Sequence, residues 1–94
     1  MKIVNNSKIL MRLVAADKLR KRGFQVYSLP VAPARFLPDM VAYRNERFYN
    51  VYLFESAEER DAEFPPEVRE SALEYAEPMD AIVVSMFIRL AVAK

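Results

Sequence analysis

The spacing of apolar residues changes character several times along this chain, and each change predicts a new element. From about Lys8 to Arg22 the spacing is helical: Ile9, Leu13 and Ala16 fall on one face, with Leu10 and Val14 beside them, a broad stripe. Asn5, Asn6 and Ser7 are N-cap candidates for that helix. Lys18, Arg20, Lys21 and Arg22 suit the negative end of its dipole, and Gly23 suits the left-handed position after it. Phe24 to Leu29 predicts a strand, with Phe24 and Val26 on one face. Pro30, Pro33 and Pro38 bracket a stiff loop, in which Pro30-Val31-Ala32-Pro33 meets a PxxP pattern without the proline density of a ligand segment. Asp39 to Arg44 and Phe48 to Phe54 predict two further strands joined by a turn at Asn45-Glu46-Arg47.

After Glu55 the chain is polar as far as Phe64. Pro65-Pro66-Glu67 then marks a helix start, because proline needs no N–H in a first turn and an acid complements the dipole there. Val68, Ala72, Tyr75 and Ala76 give this helix its apolar face, and Pro78 stops it. Ala81 to Met86 is a continuous apolar run, the pattern of a strand buried on both faces. The predicted order is αβββαβ, one α/β domain over residues 1–94. The helical crossover before the last strand requires a mixed sheet.

Composition narrows the chemistry. Of 94 residues, 53% are hydrophobic, enough for a single core. There is no Cys and no His, which excludes disulfides, thiolate zinc sites and imidazole bases. Any metal site would use carboxylates and carbonyls, which suits Mg²⁺ or Mn²⁺. Arg12 interrupts the early apolar stretch, and the run from Ala81 to Ala93 is too short to span a bilayer and contains Arg89. A soluble, cytoplasmic protein without membrane association or a small-molecule cofactor is expected.

The net charge of +1 conceals a division. Residues 1–54 hold ten Lys and Arg against three acids, a balance of +7, whereas residues 55–80 hold ten acids against two arginines, a balance of −8. Such a split suits a phosphate-seeking face, electrostatic self-association as a homodimer, or two solvated faces that tune solubility.

The remaining chemistry centres on Leu37-Pro38-Asp39, which opens one strand, and Glu55, which ends the next. Side chains two apart on a strand share a face, so Val51, Leu53 and Glu55 point one way, and Asp39 with Glu55 could form a two-carboxylate cup. Ordinary turn and cap chemistry accounts for the same two acids. With the Lys21-Arg22-Gly23-Phe24 helix-to-strand turn and the αβββαβ order, this pattern resembles the PD-(D/E)XK nucleases, and among them the archaeal Holliday-junction resolvases.

That resemblance covers nearly the whole chain. It implies a restriction-endonuclease-like core, metal-binding and catalytic roles for Asp39 and Glu55 with Mg²⁺ or Mn²⁺, and DNA as partner. Where the family has Glu-x-Lys, this chain has Leu53-Phe54-Glu55 in one register, or Glu55-Ser56-Ala57 in the other. Neither supplies lysine, and the only acid on the first helix, Asp17, does not align with the resolvases' helical glutamate. A site with little or no cleavage activity is expected, unless Arg60 or Lys21 completes it.

Lys18, Lys21, Arg22, Arg35 and Arg44 are candidate phosphate contacts, although the helix-end cations are also explained by the dipole alone. Tyr27, Phe36, Tyr43 and Tyr49 could stack bases or simply pack the sheet. The competing class is a non-enzymatic oligomerisation or protein-interaction module that keeps the fold.

Overall fold

The computed structural model describes residues 5–29 and 34–90. The elements are α1 (Asn5–Lys21), β1 (Gln25–Ser28), β2 (Met40–Arg44), β3 (Arg47–Phe54), α2 (Ala57–Glu63), α3 (Pro66–Ala76), a 3₁₀ turn (Glu77–Met79) and β4 (Ile82–Phe87). The sheet order is β1-β2-β3-β4, antiparallel except for the parallel β3–β4 pair. This is the expected mixed α/β sheet, with one more helix than expected. The Pro30–Pro33 segment lies outside the described residues.

Local chemistry fixes the connections. The N–H of Phe24 donates to the carbonyl of Leu19, and that of Gly23 to Arg20, closing α1 with Gly23 at φ 89°. Only glycine adopts that angle without cost. The β2–β3 hairpin turns on two residues, Asn45 at φ 54° and Glu46 at φ 63°, the twist that suits a tight hairpin. The additional helix, α2, is capped at Ser56, whose hydroxyl accepts from the N–H of Glu59 at 3.1 Å. The Glu59 carboxylate in turn accepts the N–H of Glu55 at 2.6 Å. A Ser-x-x-Glu pair satisfies otherwise orphaned donors, so this polar helix forms without burying any of its own residues.

Two cores lie on opposite faces of the sheet. On one face α1 contributes Met11, Ala15 and Leu19 against Met40, Ala42, Val51 and Leu53. On the other, Phe64 and Ala72 of the α2–α3 layer pack against Tyr52 and Phe54. The result is three layers, α/β/α. Both helical layers reach β4, with Val83 against the second core and Val84 and Met86 against the first. As an edge strand, however, β4 is only half-buried, not enclosed as its composition predicted.

The buried face of α1 overlaps the expected stripe only at Ala16 and Val14. Met11, Ala15 and Leu19 turn inward, and Ile9, Leu10 and Leu13 are 49%, 51% and 63% exposed. Full burial of such a side chain is worth about 1.5–3 kcal/mol, so another interaction must set the rotation of this helix.

Two buried polar groups give tests of the packing. Asn50 is fully buried in β3, and neither polar atom of its side chain has a partner among the described residues. Replacing Asn50 with Val, which matches its strand partners Val41 and Val83, should raise unfolding stability by about 1 kcal/mol in urea melts. A loss of stability would show that the amide is satisfied.

The Tyr52 hydroxyl donates to the carbonyl of Phe36, and its pKa is pushed well above the usual value by burial, then by Tyr75 and Asp39. A raised pKa means that the folded state holds this proton after the unfolded chain releases it. Stability contributed by the neutral phenol is therefore complete below the ordinary value of about 10 and declines as pH rises beyond it. Urea melts between pH 9 and 11 should show that decline, and Tyr52→Phe should flatten it; an unchanged slope would contradict the assignment.

Candidate functional site

Asp39 sits one residue before β2, beside the C-terminal end of β3 and under α1. Its N–H donates to the carbonyl of Val51 at 2.9 Å, tying the residue to the sheet. Beyond that point β2 offers no regular backbone partner to Leu53. The Leu53 N–H donates instead to Oδ2 of Asp39 at 2.8 Å, and the Leu53 carbonyl accepts from Nζ of Lys8 at 2.7 Å. Side chains thus take over the ladder where the neighbouring strand has ended. Leaving those peptide groups unpaired would cost about 1–3 kcal/mol each.

The two side chains also form an ion pair, with Lys8 Nζ 3.5 Å from Oδ2 of Asp39. A second cation, Arg12, lies 3.3 Å from Oδ1, and its guanidinium also donates to the carbonyl of Leu29 at 2.6 Å. Lys8 lies 5.6 Å from the Phe54 ring centroid. The Asp39 and Arg12 side chains are only 12% and 14% exposed, so this pair is largely desolvated, and Arg12 Nε is buried without a partner among the described residues. Lys8 and Arg12 are one helical turn apart on the inward stripe with Met11, Ala15 and Leu19, which explains the rotation of α1.

Lys8 and Arg12 are the functional neighbours that sequence reasoning missed. The signal was present: two cations at i and i+4 flanking Met11 must face a carboxylate if their stripe is the buried one. Glu55 is exposed just beyond β3, and its N–H donates to the Glu59 carboxylate in the cap of α2. Both Asp39 oxygens are occupied by cations and an N–H. The next β3 side chain on its face is Leu53, which has no solvent exposure. Among the described residues no group of three or more His, Cys, Asp or Glu could hold a metal. A divalent cation reaching Asp39 would have to displace Lys8 and Arg12 from its carboxylate.

The basic candidates divide. Arg44 donates to the carbonyl of Arg22 at 2.9 Å and stacks 5.2 Å from the Phe24 ring centroid, so the hairpin and the end of α1 carry Arg44 and Arg22 together. Lys18, Lys21 and Arg22 border a shallow groove with Leu13 and Val14, and Lys21 pairs with Asp17 at 3.1 Å. Arg35 is elsewhere, its guanidinium near the Glu63 carbonyl of α2. Arg60 lies over Phe87 and pairs with Asp61. The aromatic candidates are dispersed: Tyr43 packs on Phe48, Tyr49 on Phe24 and Phe36 on Tyr75, leaving Tyr27 exposed.

No protein-family model matches this chain, and no curated protein or solved structure matches it. The chemistry of the site therefore rests on its own geometry, which substitution can test. Asp39→Ala strands two cations and the Leu53 amide, and should cost about 3 kcal/mol in urea melts. Lys8→Met removes the more exposed cation and should cost only about 1 kcal/mol. Equal and negligible losses would contradict a structural role for Asp39.

Proposed function

We propose that this chain is a nuclease-fold protein of the resolvase-like type that binds nucleic acid through its basic layer and does not cut it. The carrying observation is the separation of charge across the sheet. The α1 layer and the β2–β3 hairpin bring Lys18, Lys21, Arg22 and Arg44 to one side, while α2, α3 and the 3₁₀ turn bear Glu58, Glu59, Asp61, Glu67, Glu70, Glu74 and Glu77. A cationic layer attracts phosphates by releasing condensed counterions, and the acidic layer orients the approach.

Support for the nuclease-type ancestry comes from the element order, the mixed sheet and the place of Asp39 before β2 beside Leu53 of β3. The absence of cleavage follows from chemistry. Phosphodiester hydrolysis needs charge stabilisation where charge develops, worth several kcal/mol, and the one acid in place is committed to Lys8 and Arg12.

Fluorescence anisotropy with labelled duplex and four-way-junction DNA tests the reading. Affinity should fall linearly with salt on a logarithmic plot, and Lys18→Ala with Arg22→Ala should reduce the slope by about two. No cleavage should appear with Mg²⁺ or Mn²⁺. Folded protein without detectable binding at about 0.05 M salt would refute the nucleic-acid reading. Robust cleavage lost in Asp39→Ala would refute the non-cutting one.

A further inference from the structure

Ile9, Leu10 and Leu13 form a contiguous aliphatic patch on the outer side of α1, each about half exposed or more. Leu13 is the i+4 neighbour of Ile9 and the i+3 neighbour of Leu10, so the patch is continuous where scattered surface apolars would not be. Along the same helix follow Lys18, Arg20, Lys21 and then Arg22, against a single acid, Asp17. Nucleic acid has a use for the cations but none for the aliphatics.

The opposite layer carries the complement. Leu73 on α3 is 52% exposed and Met79 in the following turn is 42% exposed. Glu70 and Glu77 flank Leu73 at helical spacing and Glu74 follows it, all exposed, with Asp80 next to Met79; one cation, Arg69, lies a turn before Leu73. One layer is thus apolar with a basic rim, and the other apolar with an acidic rim. Because α1 and α3 cover opposite faces of one sheet, the two surfaces point away from each other and cannot meet within one molecule.

We infer that the α1 surface of one copy docks on the α3 surface of a second copy, joining the Ile9–Leu10–Leu13 patch to Leu73 and Met79 with opposite charges at the rim. The contact is heterologous: each copy offers one of each surface, so every addition leaves a free surface at both ends. Association is therefore an open head-to-tail chain and not a closed dimer. This inference does not rest on the nucleic-acid reading, and either can fail without the other.

Sedimentation velocity over a concentration series tests it with the intact protein. The weight-average mass should rise without a plateau at twice the monomer, and the rise should shrink between about 0.05 M and 1 M salt, where the screening length falls to a few ångströms. Two double variants at exposed positions, Leu10→Gln with Leu13→Gln and Leu73→Gln with Met79→Gln, each remove one surface, and circular dichroism confirms that they fold. Each variant alone should remain monomeric. An equimolar mixture retains one good surface of each kind, so it should form a dimer that cannot grow. A wild-type protein that stays monomeric throughout would overturn the inference. So would a mixture that gains no mass over its components, or a wild-type plateau at a dimer sensitive to only one of the two surfaces.

Discussion

The Asp39 carboxylate holds this fold together at the point where its strands are unequal. The β3 strand runs past the start of β2, so on that side the peptide groups of Leu53 have no strand partner, although β4 continues alongside on the other. Asp39 and Lys8 supply the missing acceptor and donor, and Arg12 neutralises the second carboxylate oxygen. One small cluster therefore finishes the sheet, fastens α1 to it and sets which face of α1 is buried. The smallness of Ala15, with no solvent exposure, permits the close approach of helix and sheet that these bonds need.

The same constraint accounts for the unusual surface. Turning Lys8, Met11 and Arg12 inward necessarily turns Ile9, Leu10 and Leu13 outward, since the faces are fixed by helical periodicity. The charge division then gives the two exposed layers opposite signs. Under the proposed function, an acid placed where a nuclease would hold metal has become a brace, and the molecule keeps the polarity of a phosphate-binding protein without its chemistry.

Elements governed by neighbouring residues were legible in the sequence. Gly23 after a cationic helix end, the Asn45-Glu46-Arg47 turn and the prolines that open α3 each act within a few positions, and each appears where the pattern placed it except that Arg47 already belongs to β3. The buried face of α1 was not legible, because apolar residues lie on both sides and the deciding partner of Arg12 is 27 positions away. Helix α2 was missed for a different reason. It buries none of its residues, so hydrophobic spacing is silent, and only its Ser56–Glu59 capping pair announces it. At the site, Asp39 was found but its partners were not; a carboxylate ahead of a strand reads equally well as ligand, turn or ion-pair member.

Hydrogen exchange at a single backbone amide tests the central role of Asp39 most directly. The Leu53 N–H is fully interior and bonded to the Asp39 carboxylate, so in the native protein it should exchange only through global unfolding. In Asp39→Ala its protection should fall further than that of the Val51 and Tyr52 amides, because the local bond is lost in addition to overall stability. Protection of Leu53 that declines only in step with its neighbours would contradict the account.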